Sequence, residues 1–207
     1  MSLLLEKVEK GFLSLFVIVI ALISLTSYTH AQGPSFDCGK VEAGSIEETI
    51  CKDPALSALD RKMAKVYKEA EKKAVNEKPP VLKAEQRGWI KGRNDCWKSE
   101  DVKECIKLNY TLRIAELEAR YALVDSKGPF FYACDGNPSN EVVMTFYETD
   151  PQTLVAEYGD STSLMYIEPS GSGSKYQGRN ESAWIKGNEA RVKWGFDSQT
   201  MNCKQKQ

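Results

Sequence analysis

Histidine is almost missing from this chain: His30 is the only one among 207 residues. Serine and cysteine nucleophiles ordinarily lean on a histidine base, and His30 lies in an N-terminal stretch expected to be removed as a signal peptide, so triad-type hydrolases are excluded from the mature chain. No CxxC pair occurs, and without a histidine in the mature chain the six cysteines favour structural bridges over a zinc site. No strong charge excess exists either: 28 Lys and Arg stand against 29 Asp and Glu. Gln32 to Gly128 carries 19 basic against 17 acidic residues (+2), and Pro129 to Gln207 carries 7 against 10 (−3). Neither half has the basic excess of a nucleic-acid binder. A membrane-spanning run is lacking too, because the one long apolar stretch, Phe12 to Leu25, falls short of the ~20 residues a spanning helix needs.

That stretch has another use. Lys7 and Lys10 precede it and Thr29, His30 and Ala31 follow it, the order of a charged n-region, an apolar h-region and a small-residue cleavage site. Residues 1–31 are therefore expected to be a signal peptide, with the mature chain starting near Gln32 and exported to the periplasm or beyond. The residues before Cys38 (Ser35, Phe36, Asp37) do not form a lipobox, so a soluble product is expected and no stable membrane insertion once the signal is removed. Export also assigns the cysteines. Cys38, Cys51, Cys96, Cys105, Cys134 and Cys203 are an even set in an oxidising compartment, which points to three disulfides and no metal.

Periodicity divides the exported part near DSKGP (Asp125 to Pro129), which reads as a linker or tight turn. Ahead of it the pattern is helical. Ser45 and Glu48 have capping-box spacing, and Asp53 with Pro54 forms a cap followed by proline at the first helical position. Leu56, Leu59, Met63, Val66, Tyr67 and Ala70 recur at steps of three and four until Pro79 and Pro80 end the helix. A second helix is expected from Val81 to Trp97, and a third, opened by Ser99 and Asp101, carries Ile106, Tyr110, Ile114, Leu117 and Tyr121. An up-and-down bundle gathers Cys51, Cys96 and Cys105 at one end. Local pairs, Cys38 with Cys51 and Cys96 with Cys105, are the first expectation, with crossed pairs also within reach.

Beyond DSKGP, eight runs of β-favouring residues alternate with turn signals such as GNPSN, TDPQ, PSGSG and GRN. They predict strands at 130–134, 141–148, 153–158, 162–168, 174–178, 182–186, 189–194 and 200–204, in a closed barrel or a sandwich. Cys134 and Cys203 fall in the first and last of these, so their pairing is expected. The fold class is α+β in two domains, a helical bundle over 32–128 and an all-β domain over 129–207.

The segment Ser170 to Gly187, SGSGSKYQGRNESAWIKG, sets small loop residues beside Tyr176, Trp184 and Lys186. A hairpin turn centred on Arg179 opposes residues that sum to 358, Tyr176 with Ser182, Ser174 with Trp184 and Ser172 with Lys186. A hydroxyl and an ammonium would then stand together at its open end. A surface lysine is usually only solvated; this pairing is what singles Lys186 out.

SGSGSKY followed by WIKGNEA, between Cys134 and Cys203, resembles the MliC/PliC-type inhibitors of c-type lysozyme. The resemblance implies an eight-stranded antiparallel barrel with no catalysis and no cofactor. It also implies an inhibitory contact built from the SGxxY motif (Ser172, Gly173, Tyr176) and the KG motif (Lys186, Gly187), in which Ser172 and Lys186 meet the two catalytic carboxyl groups of a c-type lysozyme; Tyr176 itself is expected to pack the hairpin. FDCGK, ETICKDPALSALDRKMAKVY, EQRGWIKGRNDC and ECIKLNYTLRIAEL, with Gln86, Trp89, Arg93 and Cys96, resemble the LprI-type N-terminal domain, a family associated with lysozyme inhibition. The rival readings are a binding module for another envelope partner and a carboxylate-based glycan hydrolase, which needs no histidine.

Overall fold

The computed structural model describes residues 33–206. The expected signal peptide, residues 1–31, lies outside the described residues. The helical part contains α1 (Ile46–Lys52), α2 (Pro54–Lys73), α3 (Leu82–Asn94) and α4 (Val102–Arg120). Each of the caps read from the sequence does its work through one side chain. Ser45 Oγ accepts from Glu48 N at 3.1 Å, Asp53 Oδ1 from Ala55 N at 3.0 Å and Leu56 N at 3.2 Å, and Asp101 Oδ1 from Glu104 N at 2.9 Å. Such caps are each worth about 1 kcal/mol because they satisfy otherwise orphaned N–H groups. The apolar stripe of α2 (Leu56, Met63, Val66, Ala70) buries against Ile106, Tyr110, Ile114 and Leu117 of α4, with Leu59, Tyr67 and Trp89 at the edge of that core.

Two helix ends differ from the sequence reading. The helix expected to run to Pro79 stops at Lys73 and tightens into a 3₁₀ turn, Ala74–Asn76. The helix expected to reach Trp97 stops at Asn94 and passes into a second 3₁₀ turn, Asp95–Lys98. The tighter winding carries Cys96, 1 % exposed, into the core beside its partner Cys105. The bonded pairs are Cys38–Cys51, Cys96–Cys105 and Cys134–Cys203.

DSKGP is not a linker. Strand β1 (Ser126–Cys134) already includes four of its five residues, and Ser126 pairs with Tyr147. The chain turns earlier, around Ala122, which adopts φ 47°. The expectation failed because Gly and Pro read as loop signals but here form a bulge, where the β1 register shifts between Lys127 and Phe130.

The other strands are β2 (Asn137–Tyr147), β3 (Thr153–Tyr158), β4 (Ser161–Glu168), β5 (Ser174–Gln177), β6 (Ser182–Lys186), β7 (Glu189–Lys193) and β8 (Met201–Gln205). Each pairs antiparallel with the next, and β8 returns to β1, closing a barrel. The closing seam is short: Tyr132 with Gln205, Ala133 with Lys204 and Cys134 with Cys203. Strict alternation fills the interior. In β7 Ala190 and Val192 are buried while Glu189, Arg191 and Lys193 are exposed, and Val142, Met144, Leu154, Met165 and Tyr176 join them inside. Bundle and barrel touch through α4. The Tyr166 hydroxyl of β4 donates to the Leu112 carbonyl at 3.1 Å, and burial pushes that phenol up from its ordinary pKa.

Candidate functional site

The β5–β6 hairpin carries the candidate residues, and its register differs by one from the sequence reading. Opposed residues sum to 359: Ser174 faces Ile185, Lys175 faces Trp184, Tyr176 faces Ala183 and Gln177 faces Ser182. The turn is four residues, not three, because Gly178 N donates to Glu181 O at 2.8 Å. The Glu181 carboxylate then holds the turn down by accepting from Ser163 Oγ at 2.9 Å and Asn180 N at 3.2 Å. A one-residue slip exchanges the two faces of a strand. Ser172 is therefore not a ladder partner of Lys186, and the ladder between these strands ends at Ser174 and Ile185.

Other contacts bring the two motifs to the same end of the barrel. Trp184 Nε1 donates to the Ser172 carbonyl at 2.8 Å, tying the serine loop to β6 two residues before Lys186. Ser170 Oγ donates to Gly173 O at 2.8 Å and closes the loop on itself. Gly173 has φ 69°, and a Cβ there would collide with the Ile185 carbonyl oxygen. Only glycine fits where the loop backbone lies so close to β6. Gly187, at φ 61°, takes the first corner of the two-residue β6–β7 turn that follows Lys186.

Ser172, Gly173, Lys186 and Gly187 are all exposed, whereas Tyr176 is 4 % exposed inside the barrel, its ring 5.5 Å from that of Phe146. Tyr176 thus anchors the hairpin from within. Lys175 is neutralised by Glu168 at 2.7 Å, but among the described residues Lys186 has no ion-pair partner. A shallow pocket of about 160 Å³ opens beside it, lined by Trp184, Lys186, Glu189, Ala190 and Arg191. The tip is a free cation next to a loop of fixed backbone, an arrangement that can receive a carboxylate. Among the described residues no group of acidic, histidine or cysteine side chains is arranged to hold a metal ion.

Sequence reasoning left the buttress out. Composition could not separate Ser170 and Gly173, which shape the loop, from the serines and glycines around them. The indole of Trp184 was the available signal, since a half-exposed Trp N–H needs an acceptor.

The helical part has its own polar cluster. Arg93, 4 % exposed, donates to the Tyr110 hydroxyl at 2.6 Å and to Glu47 Oε1 at 2.5 Å. Tyr110 passes the contact on to Asp60 at 2.7 Å, and burial raises its pKa well above the ordinary phenol value. Trp89 packs edge-on against Tyr110 with centroids 5.2 Å apart, and Gln86 accepts from Arg113 Nε at 3.2 Å. These residues cross-link helices.

Comparison with known proteins matches the two parts separately. Residues 38–117 match the family model described as "Lysozyme inhibitor LprI", and residues 132–201 the one described as "Membrane-bound lysozyme-inhibitor of c-type lysozyme", MliC. Lipoprotein LprI of Mycobacterium tuberculosis is 24 % identical over 172 residues, covering 83 % of this chain and 84 % of its own, and the Mycobacterium bovis protein of that name gives the same values. Among solved structures, the crystal structure of Pseudomonas aeruginosa MliC in complex with hen egg white lysozyme aligns over 40 % of this chain and 83 % of its own, with 26 % identity and a TM-score of 0.34. In this order along the sequence, the two family matches agree with an LprI-type N-terminal domain followed by an MliC-type domain.

Proposed function

We propose that this protein inhibits c-type lysozyme by filling the enzyme's cleft with the Ser172 loop and the adjoining Lys186. A retaining glycosidase holds two carboxyl groups roughly 5 Å apart, one ionised and one protonated. The Lys186 ammonium pairs with the ionised group, and the Ser172 hydroxyl hydrogen-bonds the other. The observation that carries this reading is the exposed, unpaired Lys186 beside a loop whose backbone is fixed by Trp184 and Gly173. Because the loop is already ordered, less entropy is lost on docking. The net charge of −3 over Pro129 to Gln207 favours approach of a cationic enzyme. The two lysozyme-inhibitor family matches support the same partner.

The cysteines support an exported location. Every cysteine among the described residues is disulfide-bonded, Cys38 to Cys51 included, so none is left to carry an acyl anchor. Although its mycobacterial relatives are named lipoproteins, we place this chain in the periplasm, or secreted, as a soluble product. No helix among the described residues is long and apolar enough to cross a membrane.

The test is lysis of a bacterial suspension by hen egg white lysozyme, followed by turbidity. The exported chain should slow lysis, and it should cause none by itself, as a glycan hydrolase would. Lys186→Ala leaves an enzyme carboxylate unpaired and should weaken inhibition by about 2 to 5 kcal/mol. Full inhibition by both Lys186→Ala and Ser172→Ala would refute the cleft-plug geometry.

A further inference from the structure

The charges of the barrel are sorted by strand. Between Pro129 and Glu168 there is no lysine or arginine against seven carboxylates, and from Pro169 to Gln207 there are seven lysines and arginines against three carboxylates. Strands β5 to β8 therefore carry a local excess of +4 on a chain segment whose total is −3. The register shows how the cations are displayed. Lys175, Trp184, Arg191 and Asn202 form one continuous row across four strands; Ser182 and Lys193 lie in the row on one side of it, and Lys186, Glu189 and Lys204 in the row on the other.

The intervening row, Tyr176, Ala183 and Val192, points into the core, so the charged rows face outward. Rows two residues apart are spaced ~7 Å and neighbouring strands ~5 Å, giving a face of roughly 14 by 14 Å. At its centre the Trp184 ring, 38 % exposed, lies 5.7 Å from the Arg191 guanidinium. Beside it opens a pocket of about 400 Å³ lined by Lys175, Ser182, Trp184, Arg191, Lys193 and Asn202. Among the described residues Arg191, Lys193 and Lys204 have no ion-pair partner.

We propose that this outer face of β5 to β8 binds a carboxylate-bearing glycan. An indole fixed at its N–H, 38 % exposed and flanked by Arg191, is a platform for the C–H face of a pyranose. Asn202 and Ser182 supply neutral hydrogen bonds for hydroxyl and acetamido groups. Arg191, Lys193 and Lys204 supply charge-assisted bonds for carboxylates. Away from the Lys186 tip, the sign of the face is wrong for a cationic enzyme, so that part of it serves a partner other than lysozyme. It would hold the protein on an acidic polysaccharide while the Lys186 tip projects from its edge. The proposal does not depend on the inhibitory reading, because it concerns binding measured with no lysozyme present.

The experiment is co-sedimentation of the full exported chain with purified insoluble peptidoglycan, whose muramic acid and peptide carboxylates supply the anions, against chitin as the uncharged counterpart. The parent should sediment with peptidoglycan, more weakly as salt rises, and should prefer it to chitin. Lys193→Glu combined with Lys204→Glu should weaken that binding on the order of tenfold, with Tm and lysozyme inhibition unchanged. A parent that stays in solution, a double variant that sediments as well as the parent, or chitin held as tightly as peptidoglycan would each overturn the proposal.

Discussion

Three glycines around the tip form a graded test of how it is built. Gly171 has no positive φ and no neighbour within 4 Å of an added Cβ, so Gly171→Ala should be neutral. Gly187 also has open space but sits at φ 61°, so Gly187→Ala costs only the left-handed strain of an L-residue, about 1 to 2 kcal/mol. Gly173 combines φ 69° with a collision against the Ile185 carbonyl, and Trp184 Nε1 lies 3.4 Å from the same added atom.

A backbone carbonyl cannot rotate away, so in Gly173→Ala the loop itself must move. That breaks the Trp184–Ser172 hydrogen bond, worth about 1 kcal/mol, for a total of about 2 to 3 kcal/mol. A displaced Ser172 no longer meets its target, and inhibition should weaken by about tenfold or more, each 1.4 kcal/mol being one factor of ten. Inhibition constants from lysozyme turbidity assays and Tm from near-ultraviolet circular dichroism should both rank the variants Gly171, Gly187, Gly173 from mildest to worst. Equal inhibition and equal Tm for the Gly171 and Gly173 variants would show that loop fixation has no part in binding.

In the helical part, Arg93→Ala removes a charged partner from Glu47 and a donor from the Tyr110 hydroxyl in a site where the arginine was 4 % exposed, and should cost about 2 to 3 kcal/mol by urea unfolding. Replacing Cys134 and Cys203 together by serine opens a link between residues 69 apart and should destabilise the barrel by about 4 kcal/mol in the chain-entropy account, read as a lower urea midpoint. The Asp53 carboxylate is held below its usual pKa by Lys103 and by the N–H groups of Leu56 and Ala55. A depressed carboxylate stabilises above its unfolded pKa near 3.8 and loses that contribution as pH falls through the folded value. Asp53→Asn should accordingly flatten the loss of stability as pH falls below 3.8, and an unchanged acid limb would count against the cap.

Secondary structure was legible where a local rule had no rival. The caps at Ser45, Asp53 and Asp101 and the alternation of Ala190, Arg191, Val192 and Lys193 needed no tertiary information. Local cues misled where long-range contacts decide. Pro129 and Gly128 look like a break, yet β2 draws them into a ladder. Asp95 to Trp97 continue a helical pattern, yet Cys96 is drawn inward to Cys105. The hairpin register turned on Glu181, whose carboxylate reaches Ser163 on β4, a contact that local turn statistics do not contain. Lys186 and the serine loop could be named from their motifs, but the tie between them runs through Trp184 and Gly173, and the cationic rows on β5 to β8 appear only once the strands are aligned.

The three-pair seam between β1 and β8 links maturation to location. One of its pairs is the Cys134–Cys203 bridge itself. A copy retained in a reducing cytosol would have to hold its cylinder shut with three backbone pairs and no covalent latch. Such a molecule exposes strand edges to its neighbours, so the latch also keeps newly made copies from adhering to one another.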